Sequence, residues 1–300
     1  MMRTKTLLLA LIVISGLLTG CDPVETSPIP SIDTGVDPTS WATIPAGDFY
    51  YGRHEYVTPM DYDYQIMVTH VTNQQYADYL NAALADGTIR IEGGEVVGYY
   101  GGEPFDGYRH EEEITAGVYV HMPLEDPAHR LVYDGKIFSV VSGYENHPVA
   151  LVSWFGARSY CNYYGWELPT EFQWEKAARG TDTRPFPWGE EIERNRANYY
   201  SSHDLFEKIS GVGDTTPVGF FNGQTYDGYE TLDNSSPYGV YDMSGNLWQW
   251  TNDDYPKQHY RYLRGGSKES YSYDLRVWTR NSAGPTFFGP NVGFRCVDLP

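Results

Sequence analysis

The residues whose types and spacing could best carry chemistry lie near the C-terminus, in the stretch from Arg264 to Cys296. It begins Arg-Gly-Gly-Ser, and adjacent glycines allow the backbone a positive φ or a close approach to other groups. Further along, Arg276 and Arg280 lie four residues apart, on either side of Trp278. Guanidinium groups at this spacing beside an indole favour buried, stacked cations over loose surface charge. The same residues would also suit a purely structural C-terminal core.

The number of cysteines and the spacing of the histidines give little support to a metal site built from these residues. The chain contains three cysteines, which is too few for a disulfide scaffold or a cysteine-rich metal site. Three histidines in the middle of the chain lack metal-ligand spacing, so a solvated or hydrogen-bonded role is favoured for each. The cysteines are Cys21, Cys161 and Cys296, and the histidines are His110, His121 and His129.

Charge and aromatic content narrow the classes of partner. The 300 residues carry a formal net charge of −19, which argues against nucleic acid and against an anionic membrane surface as partners. A cation or a basic surface is compatible with this charge, and solubility alone would also explain it. The 27 tyrosines and 8 tryptophans suit a fold in which amphipathic rings fill the space between loops.

The N-terminus has the pattern of a bacterial lipoprotein signal. Arg3 and Lys5 precede an apolar run over residues 7–18, which has signal-peptide length and is short for a membrane span. The run ends Leu-Thr-Gly-Cys at Cys21 and resembles a lipobox, in which the cysteine is lipidated and becomes the mature N-terminus. This pattern predicts a signal peptide over residues 1–20 and a lipid anchor at Cys21. An ordinary signal peptide with a chance cysteine is the alternative.

The segment after Cys21 is expected to be a tether. Residues 21–39 are rich in Pro, Ser, Thr and Asp and have no apolar period, which predicts a disordered linker to a domain over residues 40–300. The lipid would hold that domain at a bilayer in the cell envelope, on its periplasmic or extracytoplasmic face. The membrane is therefore a predicted partner through the lipid.

Local signals predict the elements that would position the C-terminal residues. Short strands are expected over residues 44–52, 64–71 and 147–152, the first as a strand or hairpin. Residues 86–146 predict a hairpin-bearing insertion, which would either shape a binding face or simply pack against the domain. Three helices are expected from apolar spacing and capping residues. They begin after Thr72, Ser153 and Thr170, with capping-box partners Gln75 and Gln173, and they end near Leu84, Gly165 and Gly180.

Several motifs together resemble the signatures of the formylglycine-generating enzyme family, the sulfatase-modifying factors. They are Arg-Gly-Gly-Ser ending at Ser267, Asn-Val-Gly-Phe-Arg-Cys ending at Cys296, Leu-Pro-Thr-Glu-Phe-Gln-Trp-Glu over 168–175 and Phe-Pro-Trp-Gly over 186–189. The resemblance covers roughly residues 40–298. It implies a compact, loop-rich α+β fold related to C-type lectins, with few short helices and small antiparallel sheets.

The resemblance also implies a disulfide. In family members with matching cysteines, the one on the helix that follows Ser153 pairs with the one after Gly-Phe-Arg, which corresponds here to Cys161 and Cys296. The oxidising environment of the envelope makes this pairing chemically reasonable. Two buried thiols are the alternative.

Two calcium loops are implied by the same resemblance, which makes calcium a candidate cofactor. Calcium takes about six to eight oxygen ligands, many of them loop carbonyls. By motif position one site would use Asp242, Gly245, Leu247 and Gln249, and the other Asn198, Tyr199 and Val212, with Ser210 at the position of an acid. Gln249 replaces the family's usual acid, and His70 stands where the family usually has an acid before a Val-Thr pair. Metal-free turns held by side-chain hydrogen bonds are the alternative for both loops.

The copper chemistry of the family does not carry over to this sequence. In oxidase members, two cysteines shortly after the Gly-Gly-Ser bind copper and convert a substrate cysteine to formylglycine. Residues 268–275 contain no cysteine here. Ser267 matches the family's active-site serine, and Ser270 falls at the position of the first catalytic cysteine. Because a hydroxyl cannot replace a thiolate as a Cu(I) ligand, the sequence argues against copper and against this reaction. Ser267 and Ser270 are left as candidate catalytic residues.

Two functions of different class follow. The first is a lipid-anchored envelope module that binds or scaffolds another envelope protein or a small ligand. The second is an envelope oxidoreductase of the same superfamily with metal-dependent chemistry that needs no cysteine, for example at a non-haem iron held by two histidines and a carboxylate. A deep cleft near Ser267 and Trp278 with converging histidines would favour the enzyme. A flat aromatic face there would favour binding.

Overall fold

The computed structural model describes residues 29–103, 113–207, 214–254 and 260–300. In these ranges the chain forms three α-helices, one short 3-10 helix and sixteen short strands. The helices are α1 (Asn73–Asp86), α2 (Trp154–Tyr163) and α3 (Glu171–Arg179), and the 3-10 helix is Arg194–Arg196. The strands are β1 (Trp41–Ile44), β2 (Phe49–Tyr51), β3 (Tyr56–Thr58), β4 (Tyr64–Met67), β5 (Ile89–Glu92), β6 (Glu95–Tyr100), β7 (Gly117–Pro123), β8 (Leu131–Tyr133), β9 (Phe138–Val140), β10 (Thr225–Tyr226), β11 (Tyr229–Glu230), β12 (Trp248–Asp254), β13 (Arg261–Arg264), β14 (Arg280–Ala283), β15 (Val292–Gly293) and β16 (Val297–Asp298). Over the same ranges, no helix combines the length and the apolar content that crossing a bilayer requires.

Small sheets joined by long irregular segments confirm the predicted α+β, loop-rich fold class. The order β14–β13–β12–β15 forms a four-stranded sheet, β1–β4–β16 and β5–β6–β7 form three-stranded sheets, and three hairpins stand alone. Pairing is antiparallel except between β12 and β15, which run parallel. The hairpin expected over residues 44–52 is formed by β2 and β3, so it extends to Thr58, beyond the predicted range.

The three predicted helix starts are confirmed, because each depends on a cap that is local in sequence. Thr72 and Gln75 form the capping box of α1, and Thr170 and Gln173 form that of α3. The Ser153 hydroxyl accepts a hydrogen bond from the Gly156 amide at the start of α2. These side chains satisfy amide groups that the first helical turn leaves without partners.

Within the described range 113–207, the strand predicted over residues 147–152 does not form. The segment makes one isolated bridge, between Pro148 and Thr72. The Val149 amide donates to the Val71 carbonyl at 2.9 Å. Leu151 then adopts a φ of 61°, in the left-handed region, which ends the extended conformation. The chain turns there into α2.

Residues 29–39, which we expected to belong to a disordered tether, lie against the domain. The Thr34 hydroxyl donates to the Val218 carbonyl at 3.0 Å, and the Asn222 amide donates to the Thr34 carbonyl at 2.9 Å. Ile29 and Ile32 pack against a buried phenylalanine cluster. The expectation was wrong for this part because isolated apolar residues show no period, while tertiary contacts still bury them.

The insertion over residues 86–146 carries two hairpins in its described part, as predicted. The β5–β6–β7 sheet packs on α2, and the β8–β9 hairpin packs on α1. A large apolar cluster lies between these elements and includes Tyr76, Trp154 and Phe294. The insertion is therefore part of the core as well as of the surface.

Candidate functional site

The two candidate catalytic serines lie together in one tight turn. The Ser267 amide donates to the Ser270 hydroxyl oxygen at 3.0 Å, and the two hydroxyl oxygens are 3.3 Å apart. Ser267 is 2% exposed and Ser270 is 7% exposed. Both hydroxyls are thus engaged with each other and with the backbone, and we name residues 265–270 the serine loop.

The paired glycines of the serine loop are required by its backbone. Gly265 has a φ of 94° and Gly266 a φ of 73°, a region that side-chain-bearing residues rarely adopt. A Cβ atom on Gly266 would also lie 2.9 Å from the Leu275 side chain. The prediction that these glycines serve a special backbone geometry is confirmed.

Backbone hydrogen bonds attach the serine loop to both candidate calcium loops. The Lys268 amide donates to the Asn246 carbonyl at 2.9 Å, and the Gly245 amide donates to the Gly265 carbonyl at 2.8 Å. On the other side, the Tyr200 amide donates to the Ser270 carbonyl at 3.0 Å. The structure therefore brings the sequence-predicted loops to one place.

The surface beside the serine loop is aromatic and exposed. The rings of Tyr200 and Tyr271 have centroids 5.0 Å apart. Tyr200 is 56% exposed, Tyr271 is 65% exposed and Tyr273 is 54% exposed. These three residues form what we call the tyrosine face. Sequence reasoning missed it, although the high tyrosine content was its one available signal.

Arg264 is the centre of a buried ion-pair network. Its guanidinium donates to Glu171 and Glu175 at 2.6 Å each, and to the Val277 carbonyl at 2.5 Å. It also lies over the Trp174 ring, 5.0 Å from the centroid. Burial alone would lower the pKa of Arg264, but the two carboxylates outweigh it and raise the pKa above its usual range.

Arg276 and Arg280 are stacked as predicted, but they are not buried. Arg276 lies 4.7 Å from the Tyr273 centroid, and Arg280 lies 5.3 Å from that of Tyr262. The Arg280 side chain is 45% exposed because it belongs to β14, an edge strand of its sheet. The fully buried arginines of the stretch from Arg264 to Cys296 are Arg264 and Arg295.

The oxygen atoms predicted as calcium ligands around Asp242 face hydrogen-bond donors. Its two carboxylate oxygens accept from the Gly219 amide at 2.7 Å and the Asn234 amide at 3.1 Å. Burial raises the pKa of this carboxyl. The Leu247 carbonyl is 3.2 Å from His70 Nε2.

Gln249 is engaged in the same way. Its side-chain oxygen accepts from Trp174 at 2.9 Å and Arg295 at 2.7 Å, and its amide nitrogen donates to the Asp242 carbonyl at 3.1 Å. Calcium needs several free oxygens that converge on one point. The oxygens of Asp242, Leu247 and Gln249 do not fit that requirement, because donors of the protein already occupy them.

The second candidate calcium loop is only partly described. Asn198 and Tyr199 adjoin the serine loop, whereas Ser210 and Val212 lie outside the described residues. The Asn198 amide donates to the Asp214 carbonyl at 2.8 Å. Throughout the described ranges, no group of three or more His, Cys, Asp or Glu side chains is placed to hold a metal ion.

We expect the Asp242 loop to be stable without calcium, and Gln249→Glu to make it calcium-dependent. The new carboxylate oxygen would face the Asp242 carbonyl where the amide donor stood. Two buried acceptors without a donor should cost about 1–3 kcal/mol of unfolding free energy, and calcium should restore part of it. Thermal unfolding with calcium or a chelator measures both effects.

The control for this prediction is Asn198→Ala, which removes a predicted ligand of the other loop and, in the Asp242 loop, only one 3.4 Å contact to Asn246. A calcium effect on the wild type that disappears in Asn198→Ala belongs to that loop. A calcium effect of several degrees that Asn198→Ala keeps would contradict a metal-free Asp242 loop.

The other residues singled out in the sequence are the three cysteines and the three histidines. Cys161 and Cys296 form the disulfide that the resemblance implied, with Cα atoms 5.7 Å apart. Both are fully buried. His121 is buried and His129 contacts the Pro123 carbonyl. Cys21 and His110 lie outside the described residues.

Comparison with known proteins identifies the family to which this chain is similar. Residues 31–299 match the family model described as the sulfatase-modifying factor enzyme 1-like domain. The chain is 37% identical over 182 residues to the serine/threonine-protein kinase pkn1 of Chlamydia caviae, which is 54% of this chain and 26% of the kinase. It is 38% identical over 158 residues to the inactive C-alpha-formylglycine-generating enzyme 2 of Bos taurus, which is 50% of each protein. The chain thus spans half or less of the length of these relatives.

A solved structure shares the fold. The crystal structure of CarF superposes with a TM-score of 0.52 at 21% sequence identity, and the match covers 88% of this chain and 99% of CarF.

Proposed function

The chain belongs to the sulfatase-modifying factor family, and from this premise we propose that it is a lipid-anchored envelope protein whose domain binds or scaffolds a partner and does not oxidise cysteine. The observation that carries the proposal is the serine loop. Family oxidases need two thiolates shortly after the Gly-Gly-Ser, whereas residues 268–275 contain no cysteine here, and the Ser270 hydroxyl at the first thiolate position bonds Ser267. The family resemblance is independent of this loss, because the fold does not depend on it.

No other cysteine thiol in the chain is available as a substitute ligand under this proposal. Of the three cysteines, Cys161 and Cys296 are joined to each other, and Cys21 is the predicted site of lipidation. Copper(I) prefers soft thiolate or thioether ligands. The residues at the serine loop therefore do not fit a copper ion.

Two further observations support a binding role. One relative carries the word inactive in its name, so the domain occurs without the oxidase activity. The tyrosine face presents Tyr200, Tyr271 and Tyr273 to solvent beside the serine loop. Tyrosine supplies a large contact area with a polar tip and is enriched where proteins bind partners. Envelope proteins and small ligands are the partner classes that this location suggests.

The similarity to the kinase pkn1 adds no kinase activity to this proposal. The match covers 26% of that protein, so the similarity concerns one part of it. The alternative function is an envelope oxidoreductase with cysteine-independent metal chemistry. In the described residues no set of metal-binding side chains favours it.

A peptide-oxidation assay tests the proposal directly. The chain from residue 22 onward is incubated with copper and a sulfatase-type cysteine peptide, and the product is followed by mass spectrometry. We expect no aldehyde above a copper-only blank, while a formylglycine-generating enzyme gives aldehyde under the same conditions. Because the lipid anchor belongs to the same proposal, Cys21→Ala in the full chain is expected to move the protein to the soluble fraction.

The Ser267→Ala/Ser270→Ala variant separates the two functions. Aldehyde that appears with the wild type and disappears in this variant would overturn the binding proposal and establish an oxidase that uses the serine loop. Aldehyde that persists in the variant would overturn it as well, and would place the activity elsewhere in the domain.

A further inference from the structure

A cavity lies between the β5–β6–β7 sheet and α2. Its volume is about 320 Å³. The side chains that line it and bear on its chemistry are Tyr99, Tyr100, His121, Phe155, Arg158 and Ser159. None of its lining residues belongs to the serine loop, the tyrosine face or either candidate calcium loop. The function proposed above does not use it.

Arg158 supplies a cation without a carboxylate of its own. Its guanidinium lies over the Tyr100 ring at 5.0 Å and the Trp154 ring at 5.7 Å. Among the described residues, no carboxylate lies within ion-pair distance of it, although the whole chain has 40 acidic residues against 21 basic ones. A guanidinium that lines a cavity and has no carboxylate partner is able to bind an anion through charge-assisted hydrogen bonds.

Glu103, an acid whose charge interacts with that of Arg158, is paired with another arginine. Both Glu103 oxygens accept from Arg261 at 2.8 Å, and one of them also accepts from the Tyr100 hydroxyl. The Asn162 amide satisfies its two neighbours when its oxygen accepts from Arg158 Nη1 at 3.2 Å and its nitrogen donates to the Trp166 carbonyl. The other guanidinium donors of Arg158 have no protein acceptor in the described structure.

His121 is seated in the cavity wall by a β-bulge. Val97 pairs with Val120 and Val96 with Met122, so His121 is the extra residue of β7. Its backbone carbonyl accepts from the Ser153 amide at 2.9 Å, which fixes the bulge on the start of α2. Bulges of this kind redirect a side chain and occur often beside functional sites.

Two glycines make the room that this imidazole needs. A Cβ atom on Gly98 would lie 2.4 Å from the His121 ring, and one on Gly156 would lie 2.7 Å from the His121 carbonyl. The residue is 1% exposed, yet its Nδ1 has no hydrogen-bond partner in the described structure. A buried polar atom without a partner costs free energy unless something binds it. His121 helps to form the cavity wall, while its Nδ1 is enclosed by protein and is not open to the cavity.

The remaining wall is aromatic. Phe155 stacks on Tyr119 with ring centroids 4.0 Å apart, and it contacts Tyr100 at 5.1 Å. Tyr99 is 69% exposed and lines the cavity from the sheet side. A ligand in this cavity would contact a polar group at one end and aromatic rings along the rest of its length, as is usual in small-molecule sites.

We propose that this cavity binds a small organic carboxylate, held by Arg158 at its charged end and by Tyr100 and Phe155 along its apolar body. The His121 imidazole lies in the same wall and helps to shape the cavity. The proposal goes beyond the function suggested above, because it concerns a different part of the domain and holds whether or not the serine loop has catalytic activity.

The charge of the site favours a carboxylate over a phosphate. Arg158 is the one cationic side chain among the lining residues. Burial lowers the pKa of His121 to about 4, so the ring is neutral at pH 7. One cation and one neutral ring match a single negative charge, whereas a phosphate dianion would need further donors.

Calorimetric titration with benzoate, hexanoate and acetate tests this proposal on the chain from residue 22 onward. We expect saturable binding of benzoate and hexanoate, weaker binding of acetate, and no binding of benzamide, the neutral counterpart of benzoate. Arg158→Met keeps the apolar stem and should weaken benzoate roughly tenfold or more, the effect of one lost charge-assisted hydrogen bond. Arg158→Lys keeps the charge and should weaken it less.

The matched control is Arg90→Met, an exposed arginine on β5 whose partner is Glu92. It should bind benzoate as the wild type does. The proposal is overturned if none of the three carboxylates binds, if benzamide binds as well as benzoate, or if Arg158→Met and Arg90→Met behave alike. Tighter binding of inorganic phosphate than of benzoate would overturn the carboxylate assignment. The aldehyde assay is independent of all these outcomes.

Discussion

Loss of the Cys161–Cys296 disulfide is expected to lower the free energy of unfolding by about 4–5 kcal/mol, the largest single effect that we predict. The bond joins α2 to the segment before β16 across a sequence separation of 135 residues. Closing so long a loop removes many conformations from the unfolded chain, which favours the folded state. Urea unfolding of the oxidised and the reduced wild type, at constant pH, measures the difference.

The control for this prediction is Cys161→Ala/Cys296→Ala, whose stability should not respond to reductant. Both positions are fully buried, so the variant also loses some packing and should be no more stable than the reduced wild type. A difference below about 2 kcal/mol between oxidised and reduced wild type would show that the bond adds little constraint to the unfolded chain.

Arg264→Met is expected to cost about 3–5 kcal/mol of unfolding free energy. The substitution leaves Glu171 and Glu175 without the guanidinium that pairs with both at 2.6 Å. The Arg264 and Glu175 side chains are fully buried. Removing one partner of a buried ion pair costs far more than the pair itself contributes, because the remaining charge is left desolvated. Urea unfolding at pH 7 measures the loss.

The matched control is Arg184→Met, because Arg184 pairs with Asp182 at the surface. Exposed pairs contribute little, so this variant should change stability by less than about 1 kcal/mol. In a double-mutant cycle, Arg264→Met combined with Glu175→Gln should cost less than the sum of the two single changes. Equal losses for Arg264→Met and Arg184→Met would contradict the buried network.

The serine loop keeps its shape without the family's catalytic chemistry. Its links to the neighbouring loops are backbone hydrogen bonds, such as those from Lys268 to Asn246 and from Gly245 to Gly265. Backbone contacts do not depend on whether a cysteine or a serine occupies position 270. The shape of the serine loop is therefore compatible with the binding role that we propose.

Sequence reasoning succeeded where the signal is local or belongs to a family motif. The helix starts at Thr72, Ser153 and Thr170 depend on side chains within three residues of the cap. The positive φ values of Gly265 and Gly266 follow from the absence of a side chain. The fold class came from the resemblance to the family.

Sequence reasoning failed where the decisive contact joins distant parts of the chain. The arginines that are buried in this sheet are Arg261 and Arg264 of β13, whereas Arg280 is exposed because β14 is an edge strand. Residues 29–39 dock through Thr34 onto Val218, across a separation of 184 residues. No local periodicity reports such contacts.

The sequence by itself determined that the chain is a member of this family without the copper-binding cysteines, since motifs and residue types are read directly from it. Only the tertiary structure decided which polar atoms have partners. The oxygens of Asp242 and Gln249 are occupied by donors from other elements, whereas Arg158 lines a cavity without a carboxylate partner among the described residues and His121 Nδ1 is buried without a hydrogen bond. The physical reason is that hydrogen-bond satisfaction depends on every group packed around an atom, and those groups come from separate parts of the chain.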